Sequence, residues 1–277
     1  MPGSPGLTAQ WGVEEWAPVL IEALAAEAVL LRAGANRITT TGRAVHVPRL
    51  LVHPRADWTE ELRALPSDEG EADTLDLAPF KLGNVVTLSN ESIADSSVGE
   101  LDRVGAAMVR GVAVSLDSTA FSAARAAANR SPAGLLDYEL PNGEVERVTI
   151  SAVVRAAGSI VGAGGVPNAV IVSPEDLTSL RLEALTGAYA TLADPTAPGI
   201  ERIAGAALYP TPAFRAGTAL IADMRYVAVA VRRDATAEFS PDAGFGSDAT
   251  LARVVMRVDY APSDVSALYL LRPRRGI

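Results

Sequence analysis

A long run of regularly spaced apolar residues constrains this chain more than any other feature. They recur at three- and four-residue steps, the spacing of one helix face, at Val98, Leu101, Val104, Met108, Val112, Leu116, Ala120 and Ala124. Ser97 and Glu100 form a capping box at the start of the run, which satisfies two backbone donors. The run covers about 28 residues, or about 42 Å at 1.5 Å per residue. It predicts one long helix that serves as a spine for a packed sheet.

An acidic segment with few large apolar residues is the second constraint. Its eight acids are Asp57, Glu60, Glu61, Asp68, Glu69, Glu71, Asp73 and Asp76, and its one base is Arg63. The segment's charge of −7 is most of the −9 carried by the 277-residue chain. Such a segment cannot build a core, so it predicts a projecting two-stranded loop with an acidic tip. It lacks the Asp/Asn and Gly spacing of a calcium loop, which favours a solvated or partner-facing surface.

The N-terminal region predicts an arm followed by an edge strand. Residues 1–12 are rich in Pro and Gly and predict an arm without its own core. Residues 13–33 have helical periodicity, which Gly34 would end. Val45–Val52 is β-prone but contains Pro48, which removes a ladder donor and predicts an edge strand.

The rest of the chain mixes helices and strands without an internal repeat. Its predicted elements are a possible short strand Leu135–Tyr138, a helix from Ile150 to Val161, a buried strand Ala169–Val172, a helix capped by Ser173, a loop Gly187–Gly199, and strands Ala219–Ala222, Tyr226–Val231, Leu251–Val258 and Leu268–Leu271. Ser240–Asp248 predicts a turn between two of these strands.

Composition excludes several classes of function. The chain has no Cys, which excludes disulfides, thiolate metal sites and Cys nucleophiles. Its negative charge gives no general attraction to nucleic acid but suits a protein that encloses DNA without adhering to it. No apolar run reaches the roughly 18–20 residues that span a bilayer, which predicts a soluble protein made inside a cell.

No group of residues predicts catalysis, a cofactor or a metal. Gly244-x-Gly246-x-x-Ala249 resembles a dinucleotide fingerprint, but strand periodicity follows it where a helix is needed, which favours a hairpin loop. His46 and His53 lie seven residues apart on one strand, would face opposite sides and have no obvious third ligand. The chain contains no Gly-x-Ser-x-Gly elbow for a nucleophile. We therefore predict a protein that is not an enzyme.

Three passages resemble the major capsid proteins of tailed bacteriophages, which share the HK97 fold. Lys81–Ser97 (KLGNVVTLSNESIADSS) is similar to that family's passage from its extended loop into its spine helix. Val153–Leu182, with NAVIVSPEDL inside it, resembles the family's sequence of helix, apolar strand and helix. Leu208–Asp223, followed by Arg232–Phe239 and Arg253–Pro262, resembles the closing strands.

The resemblance implies an α+β, HK97-like capsid fold with four parts. They would be an N-terminal arm (1–36), an extended β-hairpin loop or E-loop (44–88), a peripheral domain with the spine helix (89–146 plus 233–262) and an axial domain (147–232 plus 263–277). The implied protein is a structural subunit that self-assembles into pentamers and hexamers of an icosahedral head around double-stranded DNA. It would be assembled in the host bacterial cytoplasm and reside in the virion, with portal and decoration proteins as further partners.

Two departures from the family pattern change what is expected. The loop tip has no Lys and Ser240–Asp248 has no Asn, so we expect no isopeptide crosslink between subunits. The chain starts at Met1 and reaches the arm at once, so scaffolding is expected from a separate protein.

The predicted assembly residues belong to three groups. The acids of the loop would lie over a neighbour's spine region and meet Arg103, Arg110 or Arg125. Trp11 and Trp16 would anchor the arm, either against a neighbour or against its own core. Two alternatives stay open: an encapsulin-type compartment shell, which would enclose cargo enzymes, and a soluble α/β enzyme with an unrecognised site.

Overall fold

The computed structural model describes residues 27–50, 58–59, 61, 72–91, 98–124, 131–185 and 202–274. Its α-helices are α1 (Val29–Arg32), α2 (Val98–Ala120), α3 (Ile150–Gly162) and α4 (Pro174–Leu185). Its strands are β1 (Asn36–Thr39), β2 (Val45–Leu50), β3 (Ala72–Leu77), β4 (Phe80–Ser89), β5 (Asn142–Val145), β6 (Ala169–Val172), β7 (Arg202–Ile203), β8 (Ala206–Pro210), β9 (Ala219–Ala222), β10 (Val227–Gly244), β11 (Ala249–Pro262) and β12 (Leu268–Pro273).

The long helix α2 is the predicted spine. Its apolar stripe from Met108 to Ala120 is buried, in the same core as the inner faces of β10 and β11. The 23 residues span about 35 Å, shorter than predicted. The helix stops before Ala124 because Phe121 turns into the core, where its ring lies 5.6 Å from that of Phe214.

A four-stranded sheet packs against this helix in the order β1-β10-β11-β4. β1 runs parallel to β10, and the other pairs are antiparallel. β10 and β11 are longer than predicted and are joined at the expected turn. Gly is required at Gly244, because a Cβ there would lie 1.9 Å from the carbonyl oxygen of Ala249. The Gly244–Ala249 motif is therefore a hairpin turn, as predicted.

A six-stranded sheet in the order β5-β12-β9-β6-β8-β7 builds a second core with α3 and α4. Every residue of β6 and β9 is buried, as their apolar sequences predicted. Thr149 is the N-cap of α3, and its Oγ1 accepts the N–H of Ala152. Ser173 caps α4 as predicted, since its Oγ accepts the N–H of Asp176.

Some predicted elements are wrong. Leu135–Tyr138 is not a strand: Leu135–Asp137 forms a 3-10 turn that buries one leucine. Of the helix expected over residues 13–33, residues 13–26 lie outside the described residues. In the rest, the backbone is extended at Ala28, with ψ of 120°, and α1 starts at Val29. The start at Val29 has a tertiary cause, because the carboxylate of Asp117 accepts the first N–H groups of α1. Gly34 ends that helix at φ of +93°, as predicted.

The hairpin of β2 and β3 forms a sheet of its own, with Val45 opposite Leu77 and Leu50 opposite Ala72. Among the hairpin side chains whose burial is described, Leu77 is the fully buried one, and it packs on small residues of the four-stranded sheet, Ala228, Ala230 and Ala261. Pro48 is tolerated because the hairpin has only two strands, as the edge-strand prediction required.

Candidate assembly surfaces

Two of the predicted acids pair with residues of the β2–β3 hairpin itself. Asp73 lies opposite Arg49, whose Nε donates to its Oδ2 at 3.0 Å. Asp76 lies opposite His46, with 2.5 Å between its Oδ1 and the ring Nδ1. The Arg49 guanidinium and the N–H of Thr74 hold the pKa of Asp73 below its usual range. These pairs link the two strands, so Asp73 and Asp76 belong to the stem of the hairpin rather than to a free acidic surface.

The other six predicted acids lie between β2 and β3 in the sequence. Glu61 is exposed. The other predicted tip acids lie outside the described residues: Asp57, Glu60, Asp68, Glu69 and Glu71. Trp58 beside them is fully exposed at 106% of its reference area. Because tryptophan is enriched among residues that dominate binding, Trp58 is a candidate contact residue.

The outer face of the four-stranded sheet carries a basic row. Lys81 on β4 pairs in register with Arg257 on β11, and Arg257 pairs with Arg233 on β10. All three side chains are exposed. Among the described residues, Lys81 and Arg257 form no ion pair. Like charges directly opposite one another on neighbouring strands are destabilising.

In the next row of the same face, one acid pairs with two arginines. Glu238 accepts from Arg253 Nε at 2.9 Å and from Arg233 Nη2 at 2.8 Å. Arg253, and after it Arg233, hold the pKa of Glu238 below its usual range. Exposed Val85 lies opposite Arg253 and, with Glu238, lines a shallow depression. The face therefore offers excess positive charge beside an apolar spot.

Sequence reasoning missed this basic face. Lys81, Arg233 and Arg257 are separated by up to 176 positions in the chain and meet only through strand register. The alternation of Arg253 and Arg257 within one strand was the one local signal, since it places both side chains on the same face.

The predicted arginines of the spine are only partly described. Arg110 is exposed on α2 and its Nε lies 3.6 Å from Glu27 Oε2. Arg103 lies in α2 with its side chain outside the described part, and Arg125 is outside the described residues altogether. Trp11 and Trp16 of the arm are outside it too. Of the three predicted arginines, Arg110 is the one whose side chain is described, so a cluster of the three stays a prediction.

Metal ligands and membrane spans were also sought in the described part of the chain. It contains no group of three or more His, Asp or Glu side chains placed to hold a metal ion. None of its helices is long and apolar enough to cross a bilayer. His53, the second histidine considered, lies outside that part.

The comparisons with known proteins cover nearly the whole chain. A family model described as the phage capsid family matches residues 13–272. A solved chain titled Mycobacterium phage Adephagia is similar at 18% identity and a TM-score of 0.66, over 90% of this chain and 91% of its own. The capsid of an empty GTA particle is similar at 15% identity and a TM-score of 0.66, over 88% and 89%.

A third similar structure is a virus-like particle from Pyrococcus furiosus, at 12% identity and a TM-score of 0.64, over 94% of this chain and 98% of that one. No curated protein sequence matches the chain. Similarity to these structures over about nine-tenths of the chain confirms the predicted α+β, HK97-like fold.

Proposed function

This chain belongs to the phage capsid family, and from that membership we propose that its copies form pentamers and hexamers of an icosahedral head around double-stranded DNA. It is a structural capsid protein that builds a particle shell with copies of itself. The boundaries of the arm, extended loop, peripheral domain and axial domain given above are part of the proposal. So are its partners: a separate scaffolding protein, a portal, decoration proteins and DNA bound without sequence-specific contacts. Assembly in the host bacterial cytoplasm completes it.

The hairpin region carries an excess of acids and the body carries exposed bases. This separation of charge is the observation that best supports docking between copies. The stem acids Asp73 and Asp76 have partners within the hairpin. The six predicted tip acids have two arginines near them in sequence, Arg55 and Arg63, so acids outnumber bases there. The tip of one copy would therefore meet basic side chains of the next, namely Arg103, Arg110 and Arg125 of the spine.

The basic row of the four-stranded sheet is a second candidate landing surface, on the face turned away from α2. Lys81 and Arg257 repel one another in the isolated subunit, and an acidic tip placed between them would remove that repulsion. Exposed ion pairs contribute only about 0–1 kcal/mol each, so the contact guides register more than it supplies strength. Strength comes from many interfaces closed by symmetry.

Electron microscopy of the purified protein tests the shell, and charge reversal tests the docking. Asp68, Glu69 and Glu71 are changed together to Lys, and the matched control changes exposed Glu139 and Glu146 to Lys. We expect the first variant to lose closed particles and the control to keep them. Adding Lys81→Glu and Arg257→Glu to the first variant should restore particles. If tip reversal leaves assembly unchanged, the docking proposal is wrong while the shell proposal stands.

The contents of the particles separate the proposed head from an encapsulin-type compartment. Nuclease-protected double-stranded DNA inside purified particles is the expected result, and protein cargo without DNA would favour the compartment. A denaturing gel tests the crosslink expectation, since covalent multimers would show as a ladder above the subunit band.

A further inference from the structure

Two buried carboxylates of the body each accept main-chain N–H groups from an outlying segment. Asp117 on α2 accepts from Val29 at 2.7 Å and Leu30 at 3.0 Å, where the arm joins the body. Asp259 on β11 accepts from Ala78 at 2.6 Å, directly after the hairpin strand β3. Its other oxygen accepts the N–H of Tyr260 at 2.8 Å.

Each of these contacts stands beside a fully buried leucine of the same segment. Leu30 is 0% exposed and Leu77 is 1% exposed. Burial of an apolar side chain holds a segment to the body but is non-directional. A hydrogen bond from a backbone N–H weakens steeply away from linearity, so it fixes the direction of the chain. Each segment is thus attached by an apolar anchor and oriented by a carboxylate.

Neither carboxylate is neutralised by an ion pair with the described residues, although both are buried. Burial raises the pKa of Asp117 to about 6, against the opposing effect of the N–H groups of Leu30 and Val29 and of Arg32. Burial likewise raises the pKa of Asp259 to about 6. A buried charge without a cation is costly, so its presence here calls for a reason other than stability.

The surroundings of both groups contain few other charges. Asp117 shares a cleft with Glu27, Arg32 and Arg110, and it also acts electrostatically on Tyr260 of the sheet. Asp259 acts electrostatically on Tyr138 and on its chain neighbour Tyr260. Burial, and then Asp259, raise the pKa of Tyr260, whose hydroxyl is buried without a hydrogen-bond partner in the described part. Other charges nearby belong to Glu27, Arg32 and Arg110 beside Asp117, and Arg49 and Asp137 act on Tyr138. The tyrosines stay neutral, so ionisation of the two carboxylates adds to these charges.

Other buried acids of the body behave differently. Asp223 also accepts a main-chain N–H, from Val166, but Arg225 Nε donates to it at 2.8 Å and its pKa is lowered. Asp176 accepts from Gly217, within the six-stranded region. Among the described residues, Asp117 and Asp259 are the buried carboxylates that have no cationic partner and a pKa raised by burial. Each lies where an outlying segment meets the body.

We propose that Asp117 and Asp259 are positioning residues for assembly: each sets the direction in which an outlying segment leaves the body, and each holds that segment more firmly when neutral than when ionised. The direction of the effect follows from solvation. Ionisation favours the solvated, undocked carboxylate, so docking weakens as the pH rises through about 6. The role in assembly rests on the proposed function of the arm and hairpin, whereas the docking itself does not.

Hydrogen exchange on unassembled full-length subunits tests the docking. The amides of Val29, Leu30 and Ala78, corrected for intrinsic rates, should become more protected as the pH falls from 7.5 to 5. Asp117→Asn and Asp259→Asn cannot ionise and should each remove this pH dependence at their own segment. Each keeps one acceptor oxygen but turns an NH2 group towards the other N–H donor, so protection there should also fall below that of the wild type at pH 5. The corresponding Ala variants should lose roughly tenfold or more protection there at every pH.

A matched control is Asp264→Asn, because Asp264 caps a local 3-10 turn through Ser266 and holds no outlying segment. It should leave the exchange of Val29, Leu30 and Ala78 unchanged. Protection that survives in the Ala variants, or a pH dependence that survives in the Asn variants, would overturn the proposal. Particle yield and diameter are then measured by electron microscopy: the Ala variants should give fewer and less uniform particles than Asp264→Asn. Should the wild type form no shells at all, the proposed function fails while the exchange result still decides the docking.

Discussion

The six-stranded region and the β2–β3 hairpin are stabilised in opposite ways. β6 and β9 are buried along their whole length between neighbouring strands and the helices of their own chain. The hairpin buries Leu77 fully and half-buries Val45, Val47 and Leu75. An isolated two-stranded hairpin is marginally stable at best in water. The first region therefore folds on its own core, whereas the second acquires its order from surfaces beyond its own strands.

The largest effect is expected for Ile171→Ala in the centre of β6. Ile171 is 0% exposed, so truncation leaves a cavity and should lower the free energy of unfolding by about 2–5 kcal/mol. Urea denaturation of unassembled subunits measures it. Val161→Ala on the exposed side of α3 is the control, with an expected change within about 0.5 kcal/mol. An equal effect of both variants would contradict a self-sufficient core.

Leu77→Ala should be nearly as costly for the hairpin but not for the body. Loss of this single anchor should lower the free energy of docking the hairpin by about 2–3 kcal/mol. The expected signature is fast hydrogen exchange across residues 45–50 and 72–77, with residues 169–172 and 219–222 still protected. Global loss of protection would mean that the hairpin and the body fold as one unit, and the comparison would then fail.

The same contrast explains which parts of the fold could be predicted from the sequence. The spine helix and strands β6 and β9 were predicted because short local patterns of apolar residues, four to eight residues long, indicate which of their side chains are buried. β5, with the sequence NGEV, was missed because it is polar and is specified by its parallel partner β12, more than a hundred positions away. The acidic hairpin was predicted from composition, but the pairing of its stem acids was not.

The candidate surfaces were less predictable than the fold. The row of Lys81, Arg257 and Arg233 exists only through the register of three strands. Asp117 and Asp259 have no sequence motif, because each acts on a backbone segment far away in the chain. The one local hint was that Asp117 interrupts a buried helix face beside Leu116, where an acid is rarely found without a partner.

The pH dependence of stability should separate body from hairpin. The raised pKa values of Asp117 and Asp259 mean that the folded body binds protons more tightly than the unfolded chain. Their contribution is complete below the ordinary pKa of 3.8 and is lost as the pH rises through about 6. Between pH 7.5 and 5 the free energy of unfolding should rise by on the order of 1–3 kcal/mol from these two groups.

Urea midpoints of unassembled subunits across that range provide the measurement. The double variant Asp117→Asn and Asp259→Asn should lose most of the rise. Asp73 of the hairpin stem changes in the other direction, because Arg49 lowers its pKa and its contribution declines only at more acidic pH. A double variant with the pH profile of the wild type would assign the effect to other groups.

The smallest effect on the subunit is expected at Trp58. Because its side chain is fully exposed, Trp58→Ser should change the free energy of subunit unfolding by less than about 0.5 kcal/mol. In a shell the same residue would lie against a neighbouring copy, where buried aromatic anchors dominate binding. Heating of assembled particles, followed by light scattering, should therefore show earlier dissociation for Trp58→Ser and nearly normal behaviour for Trp58→Phe. If Trp58→Ser particles dissociate like the wild type, the tip of the hairpin is solvated in the shell and its order does not come from a neighbour.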